Sequence, residues 1–169
     1  MTKVRYEVDF AKYQSEVELI NARNSVEVGL YFIVELLIRG TLSEEYNVIN
    51  VSSRRKWSGD DYPRYISGAG FPDLLILHKD KPDPCATVEV KYLPFKNGLG
   101  ETIDEQEQLK EHIKKFNTVV YTNCLEWRIY HKEISNPITV KLGRYHTEEI
   151  EWFDASNWER LITQLEGLF

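Results

Sequence analysis

The stretch FPDLLILHKDKPDPCATVEVKYL, residues 71–93, sets Asp73, Glu89 and Lys91 into two apolar runs. Side chains alternate along a strand, so in TVEVKY Glu89 and Lys91 share one face while Val88 and Val90 take the other. Pairing PDLLIL with that strand through the polar turn at 78–86 brings Asp73 opposite Glu89 and Lys91. Two carboxylates and an amine then meet. Asp73, Glu89 and the backbone carbonyl of Val90 are hard oxygen donors suited to Mg²⁺, which keeps several waters and needs only one or two protein carboxylates. Such an ion turns bound water into a hydroxide-like nucleophile and stabilises charge on a phosphate. Lys91 adds a compact cation to orient that water or offset the developing charge. The competing reading is a surface hairpin with ordinary ion pairs, each worth roughly 0–1 kcal/mol. The apolar flanks LLIL and TVEV, which need cover on at least one face, weigh against it.

Strands and helices around the trio follow from periodicity and punctuation. Residues 9–23 form a polar and apolar pattern that predicts a short first helix. NSVEVGLYFIVELLIRG predicts a buried second helix, with Ser25 as its cap and Gly40 just past its end. YNVINVSS reads as a strand, GAG at 68–70 as the turn that delivers FPDLLIL, and Pro72 fits a strand start. In ETIDEQEQLKEHIKKFN, Thr102 and Glu105 have capping-box spacing, and Ile103, Leu109, Ile113 and Phe116 make a narrow apolar stripe. That helix is expected to lie on the sheet. TVVYTN and EWRIYH follow as strands, then ITVKL and EEIEWF. Ser156 and Glu159 predict a capping box before a terminal amphipathic helix carrying Trp158, Leu161, Ile162, Leu165 and Phe169. The order predicts an α/β fold, a single domain over 1–169 with a central mixed sheet flanked by helices. Its core spans about 24–132, with C-terminal strands and a helix over 138–169.

Composition narrows the classes of function. The chain has 169 residues, 42% hydrophobic and 28% charged, enough for one sizeable core. No apolar run approaches the roughly 18 residues of a membrane span, and the start lacks a signal-peptide stretch, so a cytoplasmic protein is expected. Its two cysteines and four histidines lack zinc-ligand spacing. A net charge of −6 argues against holding nucleic acid by a broad basic surface. A local basic patch does occur in SSRRKWSGDDYPRY, where Arg54, Arg55, Lys56 and Arg64 stand against Asp60 and Asp61. Two readings stand for it, phosphate contacts or an ordinary solvated loop. Thr122 and Asn123, at a strand end, fit either a phosphate contact or a turn.

PD at 72–73, fifteen intervening residues and EVK at 89–91 resemble the signature of the PD-(D/E)xK nuclease superfamily. The context strengthens the likeness: a strand, a turn and a strand, preceded by a buried helix and followed by one carrying Gln108 with His112 four residues on. That pair resembles the Gln-x-x-x-Tyr element of several members, with His112 in the tyrosine's place. EQLKEHIKKFNTVVYTNCLEWRIY, 107–130, is similar to the Mrr-like nuclease domain at the N-terminus of type ISP single-chain restriction-modification enzymes. The similarity covers roughly residues 68–132.

The resemblance implies a restriction-endonuclease-like αβββαβ core and Mg²⁺-dependent hydrolysis of DNA phosphodiester bonds, with Mn²⁺ substituting. It assigns Asp73 and Glu89 as metal ligands, Lys91 as the catalytic lysine and Gln108 as a supporting residue of the site. Members often add an acid from the preceding helix; Glu27 and Glu35 are the candidates and Glu27 matches better, although a carboxylate favoured by the helix dipole accounts for it equally. No GxxxxGK[ST] loop or Asn-Pro-Pro-Tyr methyltransferase motif occurs in these residues. The acidic balance of the chain, net −6, leads to the expectation that DNA affinity comes from a homodimer or from other domains or subunits of a restriction enzyme acting against foreign DNA. The alternatives are a repair or junction-resolving nuclease of the same chemistry, and a nucleic-acid-binding or assembly module without turnover.

Overall fold

Leu74, Leu75 and Ile76 are all fully buried, as expected of a strand covered on both faces, where alternation gives way to a continuous apolar run. In the computed structural model, which describes residues 7–23, 27–53, 62–92, 99, 102–132, 136–146 and 149–169, this run is β2 (Leu74–His78) of a six-stranded sheet. The other strands are β1 (Tyr46–Asn50), β3 (Pro84–Val90), β4 (Thr118–Thr122), β5 (Glu126–His131) and β6 (Ile138–Lys141), and their spatial order is their chain order. All neighbours are antiparallel except β3 and β4. A parallel pair needs a crossover, and α4 (Ile103–Lys115) supplies it.

That crossover divides the core. Helices α1 (Phe10–Arg23), α2 (Glu27–Thr41) and α5 (Ala155–Glu166) cover one face, with Leu30, Val34, Ile38, Leu161 and Leu165 packed on Val48, Leu74, Val88, Val90 and Trp127. On the other face α4 sets Leu109 and Phe116 against Leu75, Val119 and Tyr121. The arrangement is a mixed α/β fold in the αβββαβ order expected of a restriction-endonuclease-like core, read here as α2, β1, β2, β3, α4 and β4; the short α3 (Tyr62–Tyr65) sits between β1 and β2. Among the described residues no helix is long and apolar enough to cross a membrane.

The Thr102–Glu105 capping box is present in both directions. Ile103, expected on the apolar stripe, is instead 75% exposed, and the inward position on α4 that the stripe omitted is His112, fully buried. Gly40 lies inside α2 rather than past its end, because the helix continues to Thr41; Ser25 falls outside the described residues. The cap of α5 is Asp154, whose side chain accepts from the Ser156 N–H, so the expected Ser156–Glu159 box does not form. After β6 the chain makes a separate hairpin, β7 (Gly143–His146) with β8 (Glu149–Trp152). Its first strand, GRYH, lacks the apolar alternation that marks a strand. Gly143 is required there, since a Cβ would stand 2.7 Å from the Glu151 carbonyl oxygen.

The first helix is pinned to the sheet by a buried polar chain: Tyr13 donates to the Cys124 carbonyl at 2.8 Å and accepts from the Trp127 indole N–H at 3.2 Å. Cys124 itself has a φ of 72°. Tyr13→Phe strands both partners in the core and is expected to cost ~1–3 kcal/mol, read as a lower urea midpoint with unchanged slope.

Candidate active site

The β2–β3 register pairs Leu74 with Val88, so one step further Asp73 comes beside Glu89. The motif gathers at one end of the strand pair: Asp73 just precedes β2, Glu89 is the penultimate residue of β3 and Lys91 just follows it. Parallel pairing fixes the far side, with Val90 opposite Thr122 and the Lys91 N–H donating to the Thr122 carbonyl at 2.7 Å. Asp73 is bound to β3 directly, its Oδ2 accepting the Val90 N–H at 2.8 Å. This places the Val90 backbone between the two acids.

Glu89 is the hub. Its Oε1 accepts from Lys91 Nζ at 2.7 Å and from Gln108 Nε2 at 2.6 Å, while Gln108 Oε1 accepts from the same Lys91 Nζ at 2.7 Å. The triangle holds the ammonium between two oxygens. Capped at Thr102 and packed through Leu109, α4 delivers Gln108 to it, and His112, one turn on, brings Nε2 to 3.3 Å from Glu89 Oε2. That separation is ion-pair reach off the line of a hydrogen bond, and neither atom has another partner.

Burial decides the electrostatics. Asp73 is 8% and Glu89 3% exposed. For Asp73, burial and then the neighbouring Glu89 charge push the acid up to about 7, against the Val90 and Tyr31 hydrogen bonds. Burial penalises charge on Glu89 as well, yet His112 and Lys91 together outweigh it and hold its carboxyl below the usual range. Burial opposes charge on Lys91 too, and the carboxylates of Glu89, Glu27 and Asp73 more than compensate, so its ammonium is kept. One acid is held ionised and its neighbour is poised near neutrality, a division of roles typical of functional sites.

Glu27 opens α2 and is tied to this cluster by Tyr31, one turn along, whose hydroxyl donates to Glu27 Oε1 at 3.0 Å and lies beside Asp73. Burial, with Asp73 and Glu27 on either side, drives the Tyr31 hydroxyl far upward, so it stays a proton donor. Glu35, the other candidate acid, pairs with Arg39 at 2.8 Å, and Arg39 in turn caps the Val48 carbonyl. It belongs to the α2–β1 contact.

Of the remaining sequence candidates, Arg64 is half exposed and lies 3.9 Å from Asp83, in the β2–β3 turn at the opposite end of the hairpin from Asp73. Thr122 and Asn123 are buried and their side chains build the β4–β5 turn: Thr122 Oγ1 donates to the Glu126 carbonyl, and Asn123 Oδ1 accepts from the Leu125 and Glu126 N–H groups. Of their two open roles, the turn is the one this geometry displays. Arg54, Arg55 and Lys56 lie outside the described residues. Sequence reasoning missed Tyr31, whose signal was its one-turn spacing from Glu27, and Ser67, which lies 45 residues from its partner His112 and gave none.

The donor set suits a hard divalent cation. Two buried carboxylates repel one another, and Glu89 Oε2 is an orphaned acceptor. Among the described residues no three His, Cys, Asp or Glu side chains gather at ligand spacing, and Glu27 stands one residue removed, through Tyr31. Two carboxylates with a backbone carbonyl and water fit Mg²⁺ better than Zn²⁺, which wants nitrogen or sulfur in a closed set.

No protein-family model matches the sequence, and no curated protein matches it. Among solved structures, a chain of the cryoEM structure of a DrdV–DNA complex is similar over 92% of this chain, with a TM-score of 0.53 and 14% sequence identity. At that identity the likeness is one of fold, and the match takes in 13% of the DrdV chain.

Proposed function

We propose that the chain is a metal-dependent endonuclease that hydrolyses DNA phosphodiester bonds. The observation that carries the reading is the buried junction of Asp73, Glu89, Lys91 and Gln108 at adjoining strand ends. A structural hairpin has no need of two buried acids. The αβββαβ frame and the fold-level likeness to a protein bound to DNA support the substrate class. Asp73, Glu89 and the Val90 carbonyl would hold Mg²⁺ or Mn²⁺, with Glu27 as an additional acid of the site, and the ion would activate water and neutralise phosphate charge. Lys91, fixed by Glu89 and Gln108, presents an ammonium to the attacking water or a non-bridging phosphate oxygen. Gln108 keeps that ammonium aimed. The acidic chain works with a second copy or with further domains of a restriction-type enzyme, in a cytoplasmic setting.

Incubation of the purified chain with supercoiled plasmid and Mg²⁺ or Mn²⁺ is expected to give nicked and linear products, with none in EDTA. Asp73→Ala is expected to remove cleavage while preserving the circular-dichroism spectrum. Cleavage retained in that variant would falsify the assignment. Binding of DNA with no metal-dependent cleavage at any protein concentration would favour the binding-module reading, and preference for branched over linear duplex a junction nuclease.

Glu27→Gln tests the role of the outlying acid. Its expected effect is on metal dependence, a higher Mg²⁺ concentration for half-maximal rate with little change at saturation. A titration curve that does not move removes Glu27 from the site.

A further inference from the structure

His112 is fully buried on α4, with one ring nitrogen on the site and the other on the turn that leads into it. Its Nδ1 lies 2.9 Å from Ser67 Oγ, and its Nε2 faces Glu89 Oε2 at 3.3 Å. Ser67 is held rigidly: its N–H donates to the Gly70 carbonyl at 3.0 Å, the Gly70 N–H returns to the Ser67 carbonyl at 3.1 Å, and Oγ accepts the Ala69 N–H at 3.1 Å. Gly70 takes a φ of 116°, open to glycine, and closes the turn. Three residues later comes Asp73.

The hydroxyl hydrogen of Ser67 has two acceptors in reach, His112 Nδ1 at 2.9 Å and the Gly70 carbonyl at 3.3 Å. With a neutral ring, donation to the nearer Nδ1 leaves the ring hydrogen on Nε2, on the side of the Glu89 carboxylate. With a charged ring, Nδ1–H donates to Ser67, the hydroxyl turns to Gly70, and Nε2 carries a hydrogen again. Only the Nδ1–H neutral tautomer sets a bare nitrogen lone pair against the carboxylate, and it also turns the Ser67 hydroxyl from Nδ1 at 2.9 Å to the longer Gly70 contact at 3.3 Å, so both neighbours favour Nε2–H. An orienting group behind an imidazole has this effect in many sites.

We infer that Ser67 and His112 form a positioning relay, in which Ser67 fixes the His112 ring so that Nε2–H, rather than a bare lone pair, faces Glu89 Oε2 at ion-pair reach and couples the Asp73-delivering turn to the Glu89 carboxylate. The inference rests on the nuclease reading for its catalytic consequence and not for its chemistry. Both residues act through Glu89. Neither touches the reacting atoms.

Two measurements test the relay independently. In the metal-free protein labelled with ¹⁵N-histidine, the neutral His112 ring is expected to carry its proton on Nε2, and Ser67→Ala to admit the Nδ1–H form. A bare Nε2 in the parent protein, or no change in Ser67→Ala, overturns the relay whether or not the chain cuts DNA. In cleavage assays His112→Leu, of similar bulk but without a donor, is expected to lower kcat by ~10–100-fold with a small change in KM. His112→Gln, which restores an N–H donor, is expected to recover most of it. Equal losses in the two variants, with melting temperatures unchanged, would mark His112 as a packing residue only. If the parent protein does not cut DNA at all, the nuclease reading fails while the labelled-ring spectrum still decides the relay.

Discussion

Lys91→Ala is expected to slow DNA cleavage by about 10²–10³-fold, the usual loss when a single preorganised donor to a charged transition state is removed. Divalent-cation affinity is expected to change far less, because the acids and the Val90 carbonyl remain. The contrast is the informative part: Lys91 Nζ is held at 2.7 Å by both Glu89 and Gln108, a geometry suited to aiming an ammonium and irrelevant to donating oxygens. Calorimetric Mg²⁺ titration beside plasmid-nicking rates separates the two quantities. A variant that loses metal binding in proportion to rate would make Lys91 a support for Glu89 and nothing more. Gln108→Ala, which frees one side of the ammonium, is expected to fall between parent and Lys91→Ala.

Asp73→Asn is expected to be inactive and, without divalent cation, more stable than the parent at about pH 8, by on the order of 2–4 kcal/mol. Burial and the Glu89 carboxylate raise the Asp73 acid from 3.8 to about 7, and each tenfold weakening of an acid corresponds to about 1.4 kcal/mol. An unfolded chain ionises this group near its ordinary value, so between roughly pH 4 and pH 7 the folded state binds more protons than the unfolded one. Stability from this group is therefore full at the acid end, declines as pH rises across that window and is flat above it. Asparagine keeps an acceptor for the Val90 N–H and carries no charge, so the variant lacks this decline. Urea unfolding of both proteins at about pH 5 and about pH 8 isolates the effect of the Asp73–Glu89 pair, since titrating groups away from that cluster cancel in the difference. Added Mg²⁺ is expected to narrow the gap by stabilising the ionised pair of the parent. A gap that stays constant with pH would mean that Asp73 ionises as a solvated carboxylate does, and the buried junction would lose its electrostatic basis.

That a rate-abolishing change is expected to stabilise the fold follows from where the chain places its polar groups. Glu89 and Asp73 occupy positions whose neighbours Leu74, Val88 and Val90 are fully buried, and apolar residues there would hold the sheet better. Above neutral pH the buried Asp73 charge beside Glu89 raises the energy of the folded state.

The sequence alone determined the strand–turn–strand unit, because alternation in TVEVKY and the apolar run LLIL are properties of neighbouring residues, and period-two geometry then forces Glu89 and Lys91 onto one face. Antiparallel register through a short turn carried Asp73 to the same end, and the Thr102–Glu105 box and Leu109 set the start and inner face of α4. Tertiary structure alone decided what lies across from these elements. Nothing local in QLKEH reveals that His112 is buried against Glu89, that Ser67 holds its other nitrogen, or that Tyr31 joins Glu27 to Asp73, since each contact joins segments set side by side by the β3–α4–β4 crossover or by the packing of α2 on the sheet. The ionisation of Asp73 belongs to the same class. A carboxylate in a chain is an ordinary acid, and only the exclusion of water by both layers, with a second carboxylate beside it, makes it a poised one.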